Sequence, residues 1–131
     1  MNKAQQLLAE ISEFISKSQL DEIEKKLDAL FSSLGIDIEF TKHFFERLND
    51  KRNQTDITVE ELVKIYTDTH KKFGTRIKNM NKGAEAMLLD MKSNINIPFV
   101  IAVDKDGIVD MTAKTVMRKK NFQTRTKRLV V

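Results

Sequence analysis

The first third of the chain places its apolar residues at helical spacing. Within residues 4–34 they recur at i, i+3, i+4 and i+7, which is typical of amphipathic helices. Ser18 and Gln19 interrupt this pattern and predict a break between two helices. Gly35 follows the last periodic residue, at the position where a left-handed C-cap favours glycine. The pattern therefore predicts two helices, the second of which ends at residue 34.

A change of period follows directly after Gly35. Ile36, Ile38 and Phe40 alternate with two acidic residues, which predicts a short half-buried strand. Thr41 is then a candidate N-cap for a short helix over residues 42–48.

Two further helices are predicted in the middle of the chain. Thr58 and Glu61 form a capping-box sequence, which predicts a helix from about residue 58 to residue 73, closed by Gly74. Residues 84–91 return to helical spacing with apolar residues on one face and predict another helix.

The last third has the pattern of strands. Residues 97–103 are apolar and β-branched, residues 104–107 form an Asp-Gly turn, and residues 108–117 alternate as a returning strand. Residues 129–131 are a further strand candidate. The predicted class is α+β, with N-terminal helices followed by a small antiparallel sheet. We divide the chain into an N-terminal helical segment, residues 1–34, and an α+β domain, residues 35–131.

Composition excludes several classes of protein. The 131 residues include no cysteine, so disulfide scaffolds and thiolate chemistry are excluded. The longest apolar run, residues 97–103, is far below the roughly 20 residues that cross a bilayer. No secretory signal is recognisable, and no H-E-x-x-H pattern predicts a zinc site. We therefore expect a soluble protein acting in a reducing cytoplasm, with no metal and no cofactor.

Charge is distributed unevenly along the chain. Residues 1–39 hold four lysines and eight acidic residues, whereas residues 111–131 hold seven basic residues and no acidic one. Such asymmetry indicates a polyanionic partner, most often nucleic acid, although a solvated basic tail has the same composition. The candidate RNA-binding residues are Lys114, Lys119, Lys120, Phe122, Arg125, Lys127 and Arg128.

Two groups of residues are candidates for chemistry. His43 and Arg47 lie one helical turn apart, so their side chains project from one face of the predicted short helix. On the predicted strand, Lys114, Val116, Arg118 and Lys120 alternate onto one cationic face, which suits a phosphate backbone. A structural histidine and a lysine-protected edge strand are the simpler interpretations of these two groups.

Residues 43–47, 57–63 and 113–122 together resemble a group of small phage proteins of unassigned function. The H-F-x-x-R and T-V-M-R-K signals within them carry this resemblance. The order of helices and hairpin is similar to the fold shared by the RelE toxins and the phage early-message endoribonuclease RegB.

The resemblance implies metal-independent RNA cleavage, in which a ribose 2′-hydroxyl attacks the adjacent phosphate. Carried over to this chain, it makes His43 the general base or acid, and it makes Arg47 and Arg118 the stabilisers of the phosphorane charge. Thr115 would donate a hydrogen bond to a phosphate oxygen. The family's second histidine has no clear match, since His70 occupies a different kind of position.

The N-terminus carries a separate resemblance. Residues 1–10 are similar to the capsid-targeting peptides of internal head proteins of T4-like phages, which end in a Leu/Ile-x-Glu processing site. This resemblance implies cleavage after Glu10.

These observations predict a phage-encoded RNA-binding protein, with metal-independent cleavage of single-stranded RNA through a 2′,3′-cyclic phosphate, in the host cytoplasm. One alternative is a non-catalytic virion component in the phage head that binds packaged DNA. Another is a small inhibitor of a host protein, which would use the N-terminal helices for that contact or for self-association.

Overall fold

The structure, a computed structural model, describes residues 14–53 and 55–131. Its helices are α1 (Lys17–Phe31), α2 (Lys42–Leu48) and α3 (Val59–Lys78), with 3-10 turns at Ser32–Leu34 and Lys51–Asn53. Its strands are β1 (Ile36–Phe40), β2 (Glu85–Asp90), β3 (Ile95–Val103), β4 (Val109–Ala113), β5 (Met117–Arg118) and β6 (Lys127–Val130). The predicted α+β class is confirmed.

The six-stranded sheet is mixed, so the prediction of an antiparallel sheet is wrong. The strand order is β1-β4-β3-β2-β6, and β5 pairs with the first residues of β3. Strands β2, β3 and β4 pair antiparallel, whereas β1 pairs with β4 and β6 pairs with β2 in parallel. The parallel pairs join segments that are distant in sequence, and a distant partner leaves no local pattern.

Several local predictions are confirmed. Gly35 has a φ of 68° and its N–H bonds to the Ser32 carbonyl oxygen, which closes the turn after α1. Thr41 caps α2, and Thr58 with Glu61 forms the capping box of α3.

The predicted break at Ser18 and Gln19 is wrong, because these residues form the first turn of α1. Ser16 is the N-cap: its hydroxyl accepts from the Gln19 N–H, and the Gln19 side chain accepts from the Ser16 N–H. The polar residues that interrupt the periodicity therefore start a helix. The helix predicted before them, over residues 4–13, lies outside the described residues.

Gly74 does not close α3, which continues to Lys78. Gly74 is buried, and a Cβ atom added to it would lie 2.6 Å from Leu34 Cδ1. Glycine at this position permits the close approach of α3 to the turn that follows α1.

Residues 84–91 form strand β2 and its flanks, so the helix predicted there is wrong. Their alanine, methionine and leucine residues favour a helix by intrinsic propensity. β2 nevertheless lies between β3 and β6, and Ala86, Met87 and Leu88 are buried in succession. A strand covered on both faces buries consecutive residues, which a surface helix does not.

The returning strand is also shorter than predicted. β4 ends at Ala113, and β5 begins only at Met117. The residues between them are not in a strand, and Val116 is buried while Lys114 is exposed. The predicted cationic face of Lys114, Val116, Arg118 and Lys120 is therefore wrong as a regular strand face.

One hydrophobic core joins the helices to the sheet. α1 contributes Leu20, Ile23, Leu27 and Phe31 to it, and it packs against β1 and α3. The last residues of β1 and β4, Phe40 and Ala113, are paired, so α2 and the 114–120 segment, which follow them, begin at the same end of the sheet.

Candidate nucleic-acid cleft

The candidate site lies where three strands of the sheet begin or end. The parallel strands β1 and β4 both finish here, and β3 starts here. Thr41 joins the two finishing strands: its N–H donates to the Ala113 carbonyl and its hydroxyl to the Lys114 carbonyl. The same hydroxyl accepts the N–H of Phe44, so α2 starts at a fixed position beside the end of β4.

A cleft of about 790 Å³ opens between α2 and the 115–120 segment. All four predicted catalytic residues line it, and so do two of the predicted RNA-binding lysines. Its walls hold five cationic side chains and one carboxylate, in addition to the histidine. The residues concerned are His43, Arg47, Asp50, Arg52, Thr115, Arg118, Lys119 and Lys120.

His43 lies on the exposed face of α2 between two charged neighbours. Its Nδ1 is 3.8 Å from a Glu46 carboxylate oxygen, and its Nε2 accepts a long hydrogen bond of 3.5 Å from Arg47 Nε. A carboxylate beside Nδ1 favours the tautomer with the proton on that nitrogen. The Nε2 lone pair is then engaged by the Arg47 Nε–H, and it becomes free to accept another proton when that guanidinium turns to an anion.

Arg47 is held in place by an acid. Its Nη1 lies 3.1 Å from Asp50 Oδ2, while Asp50 Oδ1 accepts the Arg52 N–H at 2.8 Å. That backbone hydrogen bond, with the nearby Arg52 and Arg47 charges, lowers the pKa of Asp50. Asp50 therefore stays ionised and orients Arg47.

Arg118 lies in the wall of the cleft, but its guanidinium is bound to the protein. Nη1 and Nη2 form a fork on the Glu61 carboxylate at 3.0 and 2.8 Å. The remaining donors bond to the carbonyls of Thr55, Asp56 and Ser93. Only 14% of the side chain is exposed. The five N–H groups of arginine are all used, so Arg118 shapes the cleft rather than presenting a donor to it.

Glu61 serves both the helix cap and this arginine. Burial would raise the pKa of Glu61, but hydrogen bonds from the Arg118 side chain and the Thr58 N–H outweigh it, and the pKa is lowered. The capping box recognised in the sequence is therefore also an ion-pair site.

Sequence reasoning missed Asn53, Arg52, Asp50 and Asn94, which also line the cleft. Asn53 is buried: its amide donates to the Arg47 carbonyl and its oxygen accepts the Arg118 N–H. It thereby joins α2 to β5. For Asp50, Arg52 and Asn53 the only signal was a polar, turn-rich stretch at residues 49–56, which indicated a loop, and Asn94 lies outside that stretch.

The other predicted RNA-binding residues do not line the cleft. Phe122 and Arg128 line a neighbouring pocket, and Lys127 lines a third pocket. Lys114 pairs with Glu85 at 3.1 Å, and Arg125 is exposed.

His70 does not line the cleft. Its ring packs edge-on against Phe31 at 5.0 Å, and its Nε2 is buried without a partner among the described residues. The predicted targeting peptide, with Glu10, lies outside the described residues.

Acidic residues gather on α1 and along β1 and β4, the two strands whose last residues border the cleft. Asp37 and Asp110 are directly paired across β1 and β4. Burial, together with neighbouring carboxylates, raises the pKa of Glu24, Glu39 and Asp110. The charge gradient along the sequence thus becomes an acidic region along these elements and a cationic cleft at the ends of the strands.

The described residues include no group of three or more metal-ligating side chains. No helix among them is long and apolar enough to cross a membrane.

Comparisons with protein-family models, with curated proteins and with solved structures find nothing that matches this chain. Fold and site therefore define the molecule only as an α+β protein with a cationic cleft at one end of its sheet.

Proposed function

We propose that this chain is a phage-encoded RNA-binding protein of RelE/RegB-like type, which cleaves single-stranded RNA in the His43 cleft without a metal. The convergence of His43 and Arg47 with Lys119 and Lys120 in one cleft supports the proposal most strongly. Cations there suit a phosphate backbone, and an imidazole beside them suits proton transfer.

The geometry supports a definite division of labour. Arg47 turns from His43 to hold the scissile phosphate, which frees His43 Nε2 to take the proton of the adjacent ribose 2′-hydroxyl. The 2′-oxygen then forms a bond to phosphorus while the bond from phosphorus to the 5′-oxygen breaks. The Lys119 or Lys120 ammonium gives its proton to that leaving oxygen, and the other cations stabilise the charge of the phosphorane. Arg118 supports this arrangement through Asn53 and Glu61.

Cleavage of labelled single-stranded RNA in EDTA tests the proposal. We expect 2′,3′-cyclic phosphate ends from the wild type. His43→Gln keeps a polar side chain but has no titratable nitrogen, so it should lose at least about 100-fold in rate while RNA affinity is retained. Lys71→Gln, an exposed change on α3 outside the cleft, is the control.

If the protein binds RNA but cleaves none of the RNAs tested, its function is reduced to that of a binding module. Equal affinity for single-stranded DNA of the same sequence would favour the packaged-DNA alternative. Products that persist in His43→Gln would contradict the assigned base.

A further inference from the structure

A smaller pocket of about 210 Å³ adjoins the cleft. Asn94, Lys119 and Lys120 line both of them, so a nucleic-acid strand lying in the cleft passes the smaller pocket. Its remaining walls include Met91, Asn96, Phe122 and Arg128.

Asn96 lines this pocket and carries an unusual buried polar atom. The side chain is 1% exposed, and its amide nitrogen faces three carbonyl oxygens, of Asn94, Met117 and Lys119, at 3.0 to 3.3 Å. A reversed amide would set its oxygen against those three acceptors, so the network determines the orientation. The Oδ1 atom is consequently left as an acceptor.

This Oδ1 atom has no hydrogen-bond partner among the described residues. Buried polar atoms are nearly always partnered, and those that are not often mark a functional site. Two other atoms share this condition, Tyr66 Oη and His70 Nε2, but their residues do not line the pockets described here. Oδ1 has almost no accessible surface, so a donor bound in the pocket reaches it only when side chains of the pocket wall move aside.

The other walls suit a flat, apolar ligand attached to an anion. Phe122 is half-buried, Met91 is 68% exposed, and Arg128 Nη2 bonds to the Phe122 carbonyl at 3.2 Å. Aromatic rings and guanidinium planes stack on unpaired bases, and cations beside them hold the backbone phosphates.

We propose that this pocket takes one unpaired base of the bound RNA, and that Asn96 Oδ1 accepts a hydrogen bond from the exocyclic amino group of that base. The inference rests on the proposed RNA-binding function and adds a base preference to it. Adenine, cytosine and guanine carry such an amino group. Uracil has none and presents one N–H between two carbonyl oxygens, so it is disfavoured.

Changing the RNA tests this contact without changing the protein. An oligoadenosine strand is compared with the same strand made of purine riboside, which lacks only the amino group, and oligocytidine is compared with its 4-deamino analogue. Fluorescence anisotropy with the wild-type protein should show about 5- to 10-fold weaker binding for at least one deamino strand, as expected for one lost hydrogen bond.

A protein variant tests the stacking wall. Phe122→Ala should weaken binding of every strand about 10-fold, because a stacked base loses its platform. Phe14→Ala removes an exposed ring that lines none of these pockets, and it should leave affinity unchanged. Asn96→Ala is not suitable as the main test, because it also removes the three structural hydrogen bonds of the amide.

The outcomes separate the two proposals. RNA binding that is equal for amino and deamino strands overturns the base pocket and leaves the proposed function intact. Absence of binding to any RNA overturns the proposed function. In that case the base pocket is tested alone by titration with adenosine monophosphate, with the NMR signals of the Asn96 side-chain amide as the readout. A shift of these signals supports the base pocket, and unchanged signals overturn it.

Discussion

Arg118 connects four parts of the chain through a single side chain. Its guanidinium bonds to Glu61 at the start of α3, to the carbonyls of Thr55 and Asp56, and to the carbonyl of Ser93. Arginine suits this position because its planar fork meets a carboxylate with two parallel bonds. The cleft wall therefore depends on a residue whose own charge is already neutralised by a partner.

Replacing Arg118 with lysine tests this structural role. A lysine ammonium has three donors and no fork, so it cannot reach every acceptor, and carbonyl groups are left without partners. We expect Arg118→Lys to lower the free energy of unfolding by about 2–3 kcal/mol. Denaturant unfolding provides the measurement.

The matched control for this prediction is Arg125→Lys. Arg125 is exposed, so the same substitution there should change stability by less than about 0.5 kcal/mol. If Arg118→Lys unfolds at the same denaturant concentration as Arg125→Lys, the structural role is refuted.

At the scale of elements, the contact between α3 and the turn after α1 explains a glycine inside a helix. Gly74 lies on α3 with its Cα close to Leu34. Alanine at this position would stabilise the helix by about 1 kcal/mol through its higher intrinsic propensity. Its methyl group, however, would displace the Leu34 side chain.

The two effects can be separated by a double-mutant cycle. We expect Gly74→Ala to stabilise the protein by about 1 kcal/mol more in a Leu34→Ala background than in the wild type, because the truncated side chain removes the clash. Thermal unfolding of the four proteins measures the coupling. Additive effects of the two changes would contradict the proposed contact.

Sequence reasoning succeeded for elements whose signals are local. The caps at Thr41 and Thr58 and the turn glycine Gly35 act through their immediate neighbours, and the structure has them where they were predicted. It failed at β2, because burial between β3 and β6 overrides the helix propensity of residues 84–91. It failed at Gly74 because the reason for that glycine lies in another element.

At the scale of the whole molecule, charge is divided between two regions. Ionisation of the acidic region on α1, β1 and β4 opposes folding, because burial raises the pKa of Glu24 and repulsion from neighbouring carboxylates raises it further. The cationic cleft lies where β1 and β4 finish. This separation leaves the cleft with few carboxylates to compete with phosphate.

Glu24→Gln tests this cost of ionisation through pH. Because the pKa of Glu24 is raised in the folded protein, its ionised form destabilises the fold at neutral pH. This penalty disappears as the pH falls below the unfolded-state value of about 4.3. We expect Glu24→Gln to stabilise the protein at pH 7 by about 0.5 kcal/mol, with no gain below about pH 4.

Glu22→Gln, on the exposed face of the same helix, is the control and should show a smaller gain. Urea unfolding at several pH values measures both variants. A gain from Glu24→Gln that is equal at pH 7 and pH 3.5 would exclude ionisation of Glu24 as its cause.

The salt dependence of RNA binding tests the cationic cleft. Each phosphate contact with a single strand contributes about 0.7 to the slope of log affinity against log salt concentration. The double variant Lys119→Ala/Lys120→Ala should therefore reduce the slope by about 1.4 as well as weaken binding. Lys71→Ala/Lys72→Ala removes the same charge from the exposed surface of α3 and should leave the slope nearly unchanged. Equal effects of the two double variants would indicate binding by net charge alone.

The sequence by itself determined the α+β class, the caps, β1, β3 and the turn after β3, and the uneven charge, because periodicity, capping and composition are properties of neighbouring residues. It also singled out His43, Arg47, Thr115 and Lys119. Only the tertiary structure decided that these residues share one cleft, that Arg118 is committed to Glu61, and that the buried Asn96 oxygen has no partner among the described residues. Each of these facts depends on contacts between residues at least 20 positions apart, and such contacts form only when the parallel and antiparallel strands have paired.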